Sequence, residues 1–321
     1  MQNANAILYI YKSNMAFVYY NPSHKYHAER SRTHPEDPAR IDAIMRMLEP
    51  HLGKALTLVQ FNPPPHPHPT MVESCDTPSW DLADGDTYKT AFTDTILGIT
   101  RNMIDAAAAD LVEKKTRCAF VLCRPPGHHA SPDSVSGFCH ENNAWYAIQN
   151  LVRRGLTKIA VYDWDVHYGD GTMECLTGKS DDYPGVKFCS THAFGKGIYP
   201  GAGAHFKDDR TLILPFPKGT KDGAMLKAFQ TQVLPFIGKP DVIIVSAGYD
   251  GHCKDPMQLM KLSTELYGTM SHALMDVGCP VLFLLEGGYN PEALGQSVLE
   301  TLKPWIDAAA AAAAPAKSNL I

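Results

Sequence analysis

The stretch Ile159-Ala-Val-Tyr-Asp163-Trp-Asp165-Val-His167 joins an apolar run to three side chains of the types that bind metals. Its first four residues suit a strand that is buried on both faces of a parallel sheet. Asp163, Asp165 and His167 follow at alternate positions, so an extended backbone places their side chains on one side. Two carboxylates and an imidazole at the end of a buried strand are costly unless a cation compensates them. The stretch therefore predicts a strand whose carboxyl end carries a divalent metal.

Similar β-rich runs recur along the chain and alternate with longer helical patterns. This alternation predicts an α/β fold, with one open parallel sheet of about eight strands and helices on both faces. The predicted strands cover residues 17–20, 56–60, 119–122, 159–163, 187–191, 211–214, 242–247 and 281–286. The predicted helices cover residues 38–49, 88–114, 142–154, 223–237, 257–277 and 291–305.

Length and composition favour one large domain. The chain has 321 residues, of which 45% are hydrophobic, and we expect a domain over residues 1–306 followed by an alanine-rich tail at 307–321. The net charge of −5 argues against a basic nucleic-acid surface, so no direct DNA binding is expected. A mildly acidic surface suits basic substrates such as lysine-rich tails or polyamines. No apolar run approaches the length of a membrane span, so no membrane association is expected.

Cysteine usage bears on the compartment. None of the eight cysteines forms a C-x-x-C pair, and several lie in or beside apolar runs. We therefore expect reduced, buried thiols and an intracellular location, in the nucleus or the cytosol.

A second acidic strand end occurs in Asp241-Val-Ile-Ile-Val-Ser-Ala-Gly-Tyr-Asp250-Gly-His252. Ligands bind at the carboxyl ends of strands in open α/β sheets, so Asp250 can meet Asp165 and His167 there. Two carboxylates and one imidazole leave positions open for water and substrate, as in catalytic zinc sites. Fe²⁺ and Co²⁺ suit the same ligands, and His252 is an alternative ligand to Asp250.

Two adjacent histidines follow a third strand in Arg124-Pro-Pro-Gly127-His128-His129. They sit on a rigid loop, where they could bind metal or act as a general base and acid that carboxylates orient. Asp163 and Asp170 remain available for that orienting role.

The fourth strand ends in Glu286-Gly-Gly-Tyr289-Asn290. Glycines let the backbone turn sharply, so Tyr289 can project back toward the same edge and donate to a developing oxyanion. Two long loops, residues 61–86 and 193–207, are candidates for the rim of the site. The proline-interrupted His66 and His68 in the first loop are expected to be solvent-exposed rather than metal-bound.

From about residue 21 to residue 305, the chain resembles the histone deacetylase family, within the wider arginase–deacetylase fold. The motifs match in order, and Arg124-Pro-Pro-Gly-His-His and Leu285-Glu-Gly-Gly-Tyr-Asn290 are closer to the class II branch. The other matching segments are His34-Pro-Glu-Asp-Pro-Ala-Arg40, Ser136-Gly-Phe-Cys139, Asp163-Trp-Asp-Val-His167 and Tyr199-Pro-Gly-Ala-Gly203.

The resemblance implies roles for individual residues. Asp165, His167 and Asp250 correspond to the zinc ligands, and His128 and His129 to the base and acid pair. Asp163 and Asp170 would support His128 and His129 respectively, and Tyr289 would polarise the substrate carbonyl. The resemblance also implies substrate contacts for Gly137, Phe138, Tyr199 and Asp86. It implies a monovalent-cation site, usually for K⁺ in the family, at Asp163, Asp165, His167, Ser190 and Thr191. Arg40 would lie near the internal acetate-release region.

Three comparisons with the family pattern affect the expected activity. Tyr199 stands where the family usually has phenylalanine. The segment at 176–186 is longer than in the class I pattern, which disfavours a second cation site. Tyr289 is retained, which implies an active enzyme. The resemblance therefore implies a zinc-dependent, hydroxamate-sensitive lysine deacetylase that acts on a histone or another protein.

Three other functions fit the sequence less well. An acetylpolyamine amidohydrolase would use the same chemistry on a slender amine. A non-catalytic acyl-lysine reader should have lost one of the catalytic residues, and an arginase-like ureohydrolase would need more metal ligands than we find.

Overall fold

Nine strands form one sheet in the computed structural model, which describes residues 15–27, 34–61, 87 and 92–313. The order is β2-β1-β3-β9-β8-β4-β5-β7-β6, and every pairing is parallel except β6 with β7. The strands are β1 (Ala16–Tyr20), β2 (Leu56–Gln60), β3 (Cys118–Val121), β4 (Ile159–Asp163), β5 (Val186–Ala193), β6 (Phe206–Lys207), β7 (Thr211–Phe216), β8 (Val242–Ala247) and β9 (Val281–Leu285).

The predicted α/β fold with one open, mostly parallel sheet is confirmed. All eight predicted strands are present, and the ninth, β6, is a two-residue edge strand that the sequence analysis missed. Every residue of β3, β4, β8 and β9 is buried, because helices cover both faces of the central sheet.

Eight α-helices connect and cover the strands in the described part of the chain. Helix α8 packs against both α1 and α7, and α2 packs against α3. The helices are α1 (Ala39–Leu48), α2 (Thr93–Val112), α3 (Asn143–Arg153), α4 (Asp170–Gly178), α5 (Asp222–Ala228), α6 (Leu234–Ile237), α7 (Thr264–Asp276) and α8 (Pro291–Ala313).

Three helix predictions need correction. The helix predicted at 257–277 begins only at Thr264, because backbone groups before it bond elsewhere: Lys261 N–H donates to Thr220, and Leu262 N–H to Gly251. The helix predicted at 223–237 is interrupted by a π-helical turn, Phe229–Val233. Helix α4 was not predicted, although it carries Asp170 in its first turn.

The last helix extends further than predicted. Helix α8 continues through Ala313, and Ala309 is buried against the core. Alanine has the highest intrinsic helix propensity, which accounts for this extension. The domain boundary at 306 stays a prediction, and residues 314–321 lie outside the described residues. No helix in the described ranges is long and apolar enough to span a bilayer.

Candidate active site

The motif-bearing strands β3, β9, β8 and β4 are direct neighbours in the sheet. Their carboxyl ends therefore open onto one short edge, as expected for ligand sites in open α/β sheets. Each strand end contributes one of the segments that the sequence analysis singled out, so side chains far apart in sequence come together.

Asp165, His167 and Asp250 converge on one point. Each offers a ligand atom, and the three atoms lie within 4.8 Å of one another. His167 Nδ1 lies 3.1 Å from Asp165 Oδ1 and 3.0 Å from Asp250 Oδ2. Both carboxylates are fully buried. Oxygen and imidazole ligands of this kind suit a catalytic Zn²⁺.

The electrostatics of these three residues show that the site requires positive charge. Burial alone would lower the pKa of His167, but the carboxylates of Asp250 and Asp165 raise it to about 10. A protonated imidazole thus neutralises part of the buried acid pair in the structure. A divalent cation would do the same more completely, so the donor set fits a metal.

Backbone hydrogen bonds hold the two carboxylates in place. Asp165 Oδ1 accepts from His167 N–H at 2.8 Å, and its Oδ2 accepts from Gly287 N–H at 2.9 Å. Asp250 Oδ1 accepts from Val166 N–H at 2.9 Å. The ends of β4, β8 and β9 are therefore tied together through the proposed ligands.

His252, the alternative ligand, is engaged elsewhere. Its Nε2 lies 3.0 Å from Thr264 Oγ1, and its Nδ1 accepts from Lys254 N–H at 3.1 Å. Of these two candidates, Asp250 is the one that lies beside Asp165 and His167.

His128 and His129 lie side by side, with ring centroids 4.0 Å apart. His128 Nδ1 lies 3.0 Å from Asp163 Oδ2, and His129 Nδ1 lies 2.6 Å from Asp170 Oδ1. The structure thus contains both predicted imidazole–carboxylate pairs. In each pair Nδ1 faces the carboxylate, so Nε2 of the same ring points away from that carboxylate.

The two imidazoles have opposite pKa shifts. Burial opposes the charged form of His128, but Asp165 and Asp163 raise its pKa well above the usual range. Burial and the neighbouring charge of His128 lower the pKa of His129 to about 4. These shifts favour the protonated form of His128 and the neutral form of His129 at pH 7.

Tyr289 follows the Gly287–Gly288 turn and reaches the same edge. Its backbone N–H donates to Asp255 Oδ2 at 2.6 Å, and the Arg40 guanidinium lies 5.0 Å from its ring centroid. Arg40 is fully buried and donates to the Gly288 carbonyl at 2.6 Å. Burial raises the pKa of the Tyr289 phenol well above 10, so it stays a donor.

Aromatic rings surround the histidines. Phe138 packs perpendicular to Tyr289 at 5.8 Å, and the Tyr199 ring meets the His129 ring edge-on at 4.9 Å. Gly137 lies against both His129 and Tyr199. Phe138 has a positive φ of 67°, a backbone strain of a kind that clusters at functional sites. Asp86, the predicted rim acid, lies outside the described residues.

The predicted monovalent-cation segment is buried but its ligation stays a prediction. Asp163 and Ser190 are paired across β4 and β5, and both are fully buried. The Ser190 hydroxyl lies 3.0 Å from His192 Nδ1, and the Thr191 hydroxyl lies 3.0 Å from Tyr162 Oη. Both hydroxyls thus already have protein partners.

The sequence analysis assigned no role to Glu286. Its Oε2 accepts from the N–H groups of Gly127 at 2.6 Å and His128 at 3.1 Å, so it fixes the histidine loop. Glu286, His128 and Cys139 also form a second group of potential metal-binding side chains. We assign Glu286 to positioning, because its Oε2 already holds two backbone donors. The sequence did contain a signal for this role, because Glu286 is an acid directly after a fully apolar strand.

Thr87 and His34 were also missed. Phe138 N–H donates to Thr87 Oγ1 at 3.1 Å, and the His34 ring packs against Phe138 at 4.5 Å. Both support the aromatic wall from segments distant in sequence, which single-sequence reasoning had no signal to connect.

Comparisons with known proteins agree with this geometry. The histone deacetylase 10 of Oryza sativa subsp. japonica, named as chloroplastic, is 36% identical over 243 residues, covering 69% of this chain and 53% of that protein. An acetylpolyamine amidohydrolase of Mycoplana ramosa is 36% identical over 208 residues, covering 61% of this chain and 58% of that protein. The chain thus matches little more than half the length of these relatives.

A solved structure and a domain family match most of the chain. The crystal structure of the HDA15 HD domain superposes with a TM-score of 0.80 and 26% identity, covering 92% of this chain and 89% of that one. Residues 34–304 match the histone deacetylase domain family. The chain therefore belongs to the histone deacetylase family.

Proposed function

We propose that the protein is a zinc-dependent lysine deacetylase that hydrolyses the N6-acetyl amide of acetyl-lysine in a histone or another protein. The observation that carries this proposal is the convergence of Asp165, His167 and Asp250 beside two imidazole–carboxylate pairs and Tyr289. Metal ligands, a proton acceptor and an oxyanion donor on one edge are the parts that amide hydrolysis needs.

Zinc held by Asp165, His167 and Asp250 would supply Lewis-acid chemistry, which activates water and polarises a carbonyl. His129 is the proposed base, because its hydrogen bond to Asp170 leaves Nε2 free to accept a proton from the attacking water. His129 then returns this proton to the leaving amine as the C–N bond breaks. His128, fixed by Asp163, contributes positive charge beside the reacting carbonyl.

Tyr289 is proposed to donate its phenol proton in a hydrogen bond to the oxygen that gains negative charge. Phe138 and Tyr199 are proposed to flank the apolar stem of the acyl-lysine, since the transfer of methylene groups from water to an apolar surface is favourable. Gly137 keeps the loop close to His129. Asp86 would bind the substrate backbone. We also propose that K⁺ binds at the segment around Asp163, Asp165, His167, Ser190 and Thr191.

The second candidate is an acetylpolyamine amidohydrolase. The similarity to the Mycoplana ramosa protein supports this alternative, and the same side chains would perform the chemistry. A nuclear or cytosolic location and a role in chromatin regulation stay predictions.

The test measures acetate release from an acetyl-lysine peptide and from acetylspermidine. We expect peptide hydrolysis by zinc-loaded protein, its loss with a chelator or a hydroxamate, and its recovery with added zinc. Tyr289→Phe should lower turnover about 10²–10³-fold with unchanged zinc content. Tyr26→Phe, at an exposed tyrosine, is the matched control. Hydrolysis of acetylspermidine alone would favour the second candidate, and no hydrolysis of either would contradict both.

A further inference from the structure

A cavity of about 790 Å³ opens beside Tyr289. One wall is the loop between β8 and α7, and another is the turn that carries Tyr289. Three lysines line it, Lys218, Lys254 and Lys261, and all three are exposed. We call this feature the lysine cavity.

The lining of the lysine cavity is net positive. Among the described residues that line it, Asp255 is the only acidic one; it is 2% exposed and accepts from the N–H groups of Tyr289 and Met257. Burial raises the pKa of Asp255 to about 7, so its negative charge is also incomplete at neutral pH. None of the three lysines forms an ion pair with any residue in the described ranges.

This local charge contrasts with the whole molecule. The chain has a net charge of −5, yet the surface beside its proposed oxyanion donor carries three exposed ammonium groups. Such a patch attracts anions and repels polycations over roughly a Debye length, about 8–10 Å at physiological salt. Tyr289 lines the cavity itself, so a bound substrate lies within that range.

We propose that the lysine cavity binds an acidic side chain of the substrate, at a position close to the acyl-lysine. The proposal rests on the proposed function, because it takes the substrate to be a peptide that reaches Tyr289. One extended residue spans about 3.3–3.6 Å, so a residue two or three positions away can reach the cavity. The preferred substrate class is thus an acyl-lysine in an acidic sequence.

The same charges disfavour a polyamine. An acetylated polyamine keeps cationic amines next to its amide, and these would approach the three lysines without a counter-charge. The lysine cavity therefore selects between the two candidate substrate classes, as well as among peptides.

The test uses labelled acetyl-lysine peptides of equal length, with glutamate or lysine placed at each of three positions on either side. Dissociation constants are measured by fluorescence anisotropy, and kcat/KM by acetate release. We compare the wild type with the triple variants Lys218→Gln/Lys254→Gln/Lys261→Gln and Lys218→Glu/Lys254→Glu/Lys261→Glu. Lys227→Glu is the matched control, because Lys227 is exposed on α5 and does not line the cavity.

The wild type should bind the best glutamate peptide more tightly than its lysine counterpart, by about 2- to 5-fold for each lysine engaged. The glutamine variant should lose this preference, the glutamate variant should reverse it, and Lys227→Glu should keep it. Higher salt should weaken it. Equal binding of both peptides by the wild type, or the same loss in Lys227→Glu, would overturn the proposal.

A single acetyl-lysine amide separates this proposal from the proposed function. It lacks flanking residues, so the triple variants should hydrolyse it at the wild-type rate. If no enzyme form hydrolyses either this amide or the peptides, the proposed function fails, while the anisotropy measurements still decide whether the cavity binds acidic peptides.

Discussion

Gly137 permits the loop before Phe138 to lie directly on the imidazole of His129. Its φ is +54°, and a Cβ at this position would overlap His129 Cδ2, the nearest atom, and would lie 2.9 Å from His129 Cγ and 3.1 Å from Tyr199 Cε1. Carbon atoms pack best at about 3.5–4.0 Å, so Gly137→Ala must displace the His129 ring by roughly 1–1.5 Å. His129 cannot turn away freely, because its Nδ1 is hydrogen-bonded to Asp170.

The displacement should affect turnover more than stability. A shift of about 1 Å in a reacting group can cost about 10²-fold in rate, so we expect kcat/KM to fall by about that factor. The left-handed backbone of an alanine adds a loss of about 1–2 kcal/mol in the free energy of unfolding. Zinc content should not change, since His129 is not among the proposed ligands.

Gly155→Ala separates the two effects. Gly155 has a φ of +90° at the end of α3, and nothing lies within 4 Å of a Cβ there. Its alanine variant should lose similar stability and keep full turnover. Urea denaturation, zinc analysis and acetyl-lysine peptide kinetics on both variants form the assay. Equal turnover in both would refute the claim that Gly137 serves to place His129.

Two further predictions concern carboxylates that hold the histidine loop. Asp170→Asn should reduce turnover about 10- to 100-fold at normal zinc content, because an amide no longer fixes the His129 tautomer; unchanged kinetics would contradict that role. Burial raises the pKa of Glu286 to about 7 from an ordinary value near 4.3. Between these two pKa values the Glu286 carboxyl is protonated in the folded state and ionised in the unfolded state. The free energy of unfolding should therefore fall by roughly 3–4 kcal/mol as the pH rises from the lower value to the higher. Glu286→Gln should make the pH dependence of urea denaturation of the metal-free protein less steep between pH 4 and 7, with the contribution of Asp255 remaining. An unchanged slope would show that the Glu286 carboxyl is not perturbed.

The strand ends could be predicted because their signal is local. An apolar run that stops at an acid or a Gly-Gly turn predicts both a strand and the carboxyl end at which the site residues lie, as at Asp163 and Tyr289. The sequence did not reveal that β3, β9, β8 and β4 are neighbours, because pairing is set by contacts between partners that are 163 positions apart for β3 and β9, 83 for β4 and β8, and 38 for β8 and β9. That adjacency brings His128, Asp250 and Tyr289 to one place.

The missed features depend on hydrogen bonds between distant segments. Asp255 was overlooked because its partner, the Tyr289 N–H, is 34 residues away. Thr87 reaches the Phe138 N–H across 51 residues. Residues 257–262 were wrongly predicted as helical for the same reason, since their backbone groups bond to other loops instead of to each other. Amphipathic spacing carries no information on such partners.

The hydrogen bonds of Asp165 also determine which substitutions can separate metal binding from oxyanion stabilisation. Asp165 accepts from Gly287, two residues before Tyr289, so replacing this proposed ligand would disturb both the proposed metal site and the tyrosine. Asp250 is coupled in the same way to Val166, which lies between the other two proposed ligands. By contrast, the Tyr289 hydroxyl makes no hydrogen bond within the described residues, and its position is set by its backbone, Arg40 and Phe138. Removing that hydroxyl therefore leaves the framework intact, so Tyr289→Phe separates oxyanion stabilisation from metal binding more cleanly than any ligand substitution.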